Sequence, residues 1–287
     1  MNHSKIKLIE CPRDAMQGWK TFIPTEKKIA YINALLQVGF DTIDFGSFVS
    51  PKAIPQMADT KEVVKSLQLT GNSSKLLAII ANERGAIDAV VYDQISYLGF
   101  PFSVSETFQQ RNTNSSIAES MQRVEAIQEL CIKNKKELVV YLSMGFGNPY
   151  GDEWNEEIVC SWAEKLAALD IKILSLADTV GLASTDQVKK IASYLIQHLP
   201  QCEIGVHLHS THKNWKAKTE AALHAGCIRF DGALKGIGGC PMADDELVGN
   251  MNTEWMIDLF QQQNILSPLN MEALQQALQL ADEIFAL

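Results

Sequence analysis

Short β-branched or otherwise apolar runs alternate with longer stretches whose apolar residues follow a helical repeat, and this alternation extends from one end of the chain to the other. The strand-like runs fall at residues 6–10, 42–45, 75–80, 94–98, 137–143, 171–177, 203–209 and 228–231. Strands separated by amphipathic helices predict a parallel sheet covered by helices. Eight is the number at which such a sheet closes, so the expected fold is an α/β TIM (β/α)8 barrel. Pro24-Thr25-Glu26 opens one helix, Ser115 another, and Ser184-Thr185-Asp186-Gln187 has the form of a capping box. Gly39, Gly99 and Gly226 stand where the chain is expected to turn. No Pro- or Ser-rich linker interrupts the pattern. The expected organisation is one domain over residues 1–287, with the barrel over about 5–251 and a short helical extension over about 252–287.

Composition narrows the class. A chain of 287 residues with 46% hydrophobic content is long enough for one large core. Its longest apolar runs are strand length, far short of the roughly 20 residues that cross a bilayer, so no membrane partner is expected. The first residues pass directly into a strand without the features of a secretory or transit segment, which makes the cytoplasm the expected location. A net charge of −9 with scattered lysines excludes nucleic acid as a main partner. The six cysteines are far apart and form no C-x-x-C pair, so they read as reduced thiols; five are packing residues, and Cys240 differs by standing in a Gly-Gly-Cys-Pro loop.

The candidate chemistry lies just beyond the strands. In Gly205-Val206-His207-Leu208-His209 the two imidazoles sit at i and i+2 of a strand and share a face. That suits a divalent metal, although two histidines also end strands as simple caps. Arg13-Asp14 follows the first strand, Ser47 to Lys52 the second, Asp178-Thr179 the sixth and Gly238-Gly239-Cys240-Pro241 the last. In a barrel these are all C-terminal strand ends, where active sites form. Asp14, His207 and His209 would share that mouth, with Asn250 reaching it from the final loop. Such an O/N donor set suits Mg²⁺ or Mn²⁺, and less well Zn²⁺ or Co²⁺. Arg13 would stabilise an enolate oxygen, or else form an ordinary ion pair with Asp44 or Glu10. Cys240 would move a proton, or else be an inert thiol. Asp178 would orient Arg13 or a histidine, or else cap the helix near Ser184.

Taken together, Pro12-Arg13-Asp14 with Gln17, Gly46 to Lys52 with Pro55-Gln56-Met57, Asn112-Thr113-Asn114, Asp178 to Gly181, His207-Leu208-His209 and Gly236 to Pro241 resemble the hydroxymethylglutaryl-CoA lyase family over nearly the whole chain. The resemblance implies cleavage of 3-hydroxy-3-methylglutaryl-CoA, an acyl-CoA thioester, to acetyl-CoA and acetoacetate on a Mg²⁺ or Mn²⁺ centre. It implies Asp14, His207, His209 and Asn250 as metal ligands, Arg13, Asp14, His207 and Cys240 as catalytic residues, and Gln17, Lys20, Asp44, Ser47, Asp178 and Thr179 as substrate-facing. A homo-oligomer, most simply a dimer, goes with it. Two other readings are a related aldolase or acyl-CoA-condensing enzyme acting on another oxo acid, and a catalytically impaired barrel that serves as a binding protein. Several positions depart from the family pattern. Asp44 replaces a glutamate, which leaves the contact to Arg13 lost or made through water. Ala15 replaces a glycine, Ser210 an acidic residue, and His212 to Trp215 a run of small residues. Asp244, Asp245 and Glu246 make the loop after Cys240 acidic, which would oppose its closure over a polyanionic CoA.

Overall fold

The computed structural model describes residues 5–239 and 248–285. Its strands are β1 (Lys7–Glu10), β2 (Thr42–Ser47), β3 (Lys75–Ile79), β4 (Ile95–Ser103), β5 (Glu137–Ser143), β6 (Ile173–Ala177), β7 (Glu203–His207), β8 (His209–Ser210), β9 (Arg229–Gly232) and β10 (Gly249–Asn250). Its α-helices are α1 (Pro12–Gln17), α2 (Thr25–Leu36), α3 (Thr60–Ser66), α4 (Glu83–Val90), α5 (Glu106–Thr113), α6 (Ile117–Lys133), α7 (Glu156–Ala168), α8 (Thr185–His198), α9 (Trp215–Ala225), α10 (Thr253–Gln262) and α11 (Met271–Phe285). Strands β1 to β7 and β9 close a barrel in chain order, every neighbour parallel, with β9 pairing back onto β1. The expected barrel and its helical extension are both present. The short β8 and β10 form a separate antiparallel pair, Asn250 opposite His209.

The differences from expectation are local and have identifiable causes. Strand β4 does not stop before Gly99 but continues through Gly99 and Pro101. A Cβ at residue 99 would lie 2.6 Å from Ile79 Cδ1 and 3.1 Å from Tyr141, so glycine here makes room for the barrel's interior side chains and does not mark a turn. Ser115 is not the helix cap. Ser116 is, in a capping box with Glu119, while Ser115 bonds to Thr113 and Gln109. The box at Ser184 and Gln187 forms as expected. The seventh strand-like run, 203–209, divides at Leu208 into β7 and β8. Asn252 caps α10, and α11 lies against the barrel, with Phe285 edge-on to Trp19 at 5.2 Å and to Tyr31 at 6.3 Å.

The core has two compartments. Most buried apolar residues lie between strands and helices, whereas Leu77, Tyr97, Val139, Tyr141 and Ile173 cluster separately. Charge is buried as well: Arg229 meets Glu203, lies over the Tyr97 ring at 5.4 Å, and has its stem seated against Gly205, where a Cβ would be 3.0 Å away.

Glu10 is fully buried, accepting from the Leu234 N–H at 2.8 Å and the Thr253 hydroxyl at 2.6 Å. Burial outweighs these bonds and pushes its carboxyl up to about 8. The folded chain therefore holds a proton that the unfolded chain releases nearer pH 4.5. Stability from this group is full below that value and is lost as pH rises towards about 8. Thermal melts across pH 5–9 should show a decline on the order of a few kcal/mol. Glu10→Gln should flatten it, and an unchanged profile in that variant would exclude Glu10 as its source.

Candidate active site

Helix α1 begins directly at the end of β1, with Pro12 at its first position, where a missing N–H costs nothing. Arg13 and Asp14 are thereby placed at the barrel mouth, both buried. The Arg13 guanidinium donates from Nε to Asp44 at 3.0 Å and again from Nη2, and from Nη1 to Asp14 Oδ1 and Gln17 Oε1, each at 2.8 Å. The shorter Asp44 thus contacts Arg13 directly through a two-pronged pair, and the expected loss or water-mediation of that contact does not occur. Glu10 is not the partner of Arg13. Of the five guanidinium N–H groups, one on Nη2 is left over by these bonds.

His207, at the end of β7, directs Nδ1 to Asp231 Oδ2 at 3.2 Å. His209 directs Nδ1 to the Thr179 carbonyl at 3.1 Å. An Nδ1–H held by an acceptor fixes the tautomer and presents the Nε2 lone pair. The two rings lie 5.4 Å apart at 70°. Asn250 donates to Asp14 Oδ2 at 2.7 Å and to the Ile237 carbonyl at 2.9 Å. Gly238, with a positive φ of 95°, packs so closely that a Cβ would lie 2.8 Å from the Asp14 carbonyl oxygen.

Ligand atoms of Asp14, His207 and His209 lie within 4.8 Å of one another. His209 Nε2 and Asn250 Oδ1 are buried without a partner among the described residues, and such orphans normally point to a missing ligand or water. Burial raises the Asp14 carboxyl, but Arg13, His207, His209 and the Asn250 amide outweigh it and bring it down to about 2. Burial, reinforced by His207, lowers His209 to about 4, so its ring is neutral. His207 moves upward: burial opposes its charge, but the bond to Asp231 and that carboxylate's field prevail. Two imidazole nitrogens, a carboxylate and an amide oxygen could hold a divalent cation. Cys11, His207 and Asp231 are also close enough to one another to hold one. Burial, then Asp231, pushes the Cys11 thiol well above its ordinary value, so it stays protonated and remains a packing residue.

A cavity of about 400 Å³ opens above these groups, lined by Arg13, Asp14, Gln17, Tyr141, Thr179, His207 and His209 and, farther out, by Phe108, Arg111 and Asn112. The other residues expected to face substrate fall elsewhere. Lys20 is exposed and outside the cavity lining. Ser47 is buried, its hydroxyl accepting from the Val49 N–H. Asp44 is committed to Arg13. Asp178 is buried and bonds neither Arg13 nor a histidine ring. It pairs with Lys218 at 2.6 Å and accepts the Ala183 N–H at 2.9 Å, just ahead of α8. Ser210 pairs with Gly249 in the small antiparallel sheet, and Trp215 packs on Trp255 at 5.3 Å, so the departure at 215 builds an aromatic contact between α9 and α10. Cys240 and the acids Asp244, Asp245 and Glu246 lie outside the described residues.

Sequence reasoning missed Lys218, Asp231 and Arg111. Lys218 sits in a helical pattern where a lysine reads as solvent-facing, yet its ammonium is buried on Asp178 and the His209 carbonyl, the latter at 2.9 Å. Asp231 lies one residue before the end of the eighth barrel strand, with its side chain on His207, a position that sheet alternation could have flagged.

The family model described as HMGL-like matches residues 5–281. The mitochondrial hydroxymethylglutaryl-CoA lyase of Rattus norvegicus is 32% identical over 277 residues, 95% of this chain and 83% of its own length. Hydroxymethylglutaryl-CoA lyase YngG of Bacillus subtilis is 32% identical over 275 residues, 95% of this chain and 90% of its own. A solved HMG-CoA lyase from Acinetobacter baumannii, in complex with coenzyme A and 3-methylmalate, superposes with a TM-score of 0.90 at 32% identity, over 100% of this chain and 93% of that one.

Removing one partner from a buried ion pair strands the other charge, at a cost of roughly 3–5 kcal/mol. Lys218→Met should therefore lower the melting temperature sharply, and Lys218→Met with Asp178→Asn should recover much of the loss. If the double variant melts no higher than the single one, the pairing is not what stabilises this end of the barrel.

Proposed function

We infer that this chain, which belongs to the HMGL-like family, is a carbon–carbon lyase that cleaves 3-hydroxy-3-methylglutaryl-CoA to acetyl-CoA and acetoacetate. The observation that carries the reading is the convergence of Asp14, His207 and His209, with both Nδ1 atoms engaged and an orphaned His209 Nε2. It adds to a likeness to named lyases over 95% of the chain. Asp14, His207, His209 and Asn250 would hold Mg²⁺ or Mn²⁺. When bound, such a cation acidifies the tertiary hydroxyl of the substrate.

The remaining chemistry belongs to the chain. Loss of the hydroxyl proton turns the C–O bond into a carbonyl as the adjacent C–C bond breaks. The released electron pair passes into the thioester, giving an enolate that takes up a proton to become acetyl-CoA. Arg13, held in orientation by Asp44 and Gln17, offers its spare Nη2–H to that enolate oxygen as charge develops. Asp231 keeps His207 in one tautomer. Cys240 is assigned the proton return by resemblance. A shortened Asp44 that missed Arg13 would fit an impaired binding protein, and its direct pairing with Arg13 favours the enzyme. A cytoplasmic homodimer completes the reading; among the described residues no helix is long and apolar enough to cross a membrane.

Incubating the purified chain with the thioester and Mn²⁺ should release acetyl-CoA and acetoacetate in equal amounts, and chelation should stop the release. Absence of cleavage by protein that binds Mn²⁺ would reject this substrate. Arg13→Lys should cut kcat by about 100-fold or more, about 3 kcal/mol of transition-state stabilisation, while Mn²⁺ affinity measured by titration stays near that of the parent. Near-normal turnover would remove Arg13 from the mechanism. His209→Ala should lose tight Mn²⁺ binding in a chain that still melts cooperatively; retained affinity would rule out His209 as a ligand.

A further inference from the structure

At the outer end of the same cavity, α5 carries Phe108, Arg111 and Asn112. The Arg111 guanidinium lies over the ring of Tyr150 at 4.6 Å, and that ring stacks on Phe108 at 6.4 Å. A guanidinium seated over an aromatic face is attracted by the ring without spending its N–H groups, which stay free for an anion. Arg111 donates no hydrogen bond to any described residue, so its fork is not consumed by the fold. Asp152, the carboxylate whose charge Arg111 feels nearby, is already taken: its oxygens accept from the Ser105 hydroxyl and from the N–H and hydroxyl of Thr107. Glu106, at the start of the same helix, accepts the Ile117 N–H. At the floor, Arg13 is neutralised by Asp44 and Asp14. The cavity thus has one guanidinium built into a carboxylate cluster and a second, at its rim, held ready with no anion assigned to it among the described residues.

We propose that Arg111, stacked on Tyr150, is a specificity-determining residue that binds the free carboxylate at the end of the acyl chain remote from the thioester. The inference rests on the reading that the cavity takes a carboxylate-bearing acyl thioester. Arg111 and the residues converging around Asp14 line one cavity of about 400 Å³, so an acyl chain held at the floor shares its space with the Arg111 guanidinium. A planar fork meeting a carboxylate pairs in two parallel hydrogen bonds, which a lysine point charge reproduces only in part. A CoA thioester also carries phosphates, and the same guanidinium chemistry would suit them.

Binding separates these possibilities without relying on turnover. Isothermal titration of the full chain with glutaryl-CoA and with pentanoyl-CoA compares acyl groups of equal length with and without the carboxylate. The parent should prefer glutaryl-CoA by tenfold or more. Arg111→Met should bring the two within about threefold and leave pentanoyl-CoA affinity unchanged, and Arg111→Lys should fall between. Removing the 3′-phosphate from glutaryl-CoA should leave the effect of Arg111→Met intact. An undiminished preference in Arg111→Met overturns the proposal, as does a loss felt equally by both ligands or one that disappears with the 3′-phosphate. If hydroxymethylglutaryl-CoA is bound with this preference but not cleaved, the cleavage reading fails while the role of Arg111 stands.

Discussion

The buried guanidinium of Arg13 is the constraint around which the mouth of the barrel is arranged. A charge taken out of water is tolerated only when it is paired and its donors are used. Here four hydrogen-bonded contacts are supplied by Asp44, Asp14 and Gln17. These partners come from β2 and from α1, so the charge ties the helix that follows the first strand to the second strand. Asp14 then transmits the constraint onward through its second oxygen to Asn250, in the strand that pairs with His209. Three of the candidate metal ligands, Asp14, Asn250 and His209, are thus tied together before any cation is considered, the kind of preorganisation that a catalytic site requires.

A second buried pair backs the histidine end. Lys218 on α9 holds Asp178 from the end of β6 and the carbonyl of His209, while the Thr179 carbonyl next to Asp178 holds the His209 ring. The imidazole of His209 is therefore held by the 178–179 segment directly, and its backbone carbonyl by the lysine that the same segment anchors. His207 is held independently, through Asp231 on the neighbouring strand β9. Two different anchors keep rings that are neighbours in sequence at an angle of 70°.

What was legible in the sequence follows the range of the interaction. The barrel is set by local periodicity, and all eight strand-like runs correspond to barrel strands. The proximity of Asp14, His207 and His209 is legible because strand ends of a parallel barrel share one face. Asp178 with Lys218 was not legible: 40 residues separate them, and nothing in a helical lysine marks it as buried. Arg111 was hidden for a related reason, since its significance lies in the Tyr150 ring beneath it and in an Asp152 already occupied elsewhere. Gly99 misled because a glycine that makes room inside a barrel and one that turns a loop look alike in sequence.

Asp44 shows how a departure from a family pattern is absorbed. A carboxylate one methylene shorter than glutamate would fall short of a fixed partner, but neither partner here is fixed by its side chain alone. The pairing of β2 with β3 shifts register between Asp44 and Gly46, and an irregularity of this kind bends a strand and re-aims its side chains. From the other side, Arg13 stands on a helix that starts the moment β1 ends, and its long stem lets Nε and Nη2 approach together. Burial still raises the Asp44 carboxyl to about 6, with Arg13 pulling against that rise. The pair retains a guanidinium held edge-on by one acid, with Nη1 occupied by Asp14 and Gln17 and one Nη2 hydrogen left over. It is that remaining hydrogen, set by the count of acceptors around Arg13 more than by the length of any one of them, that the proposed chemistry uses.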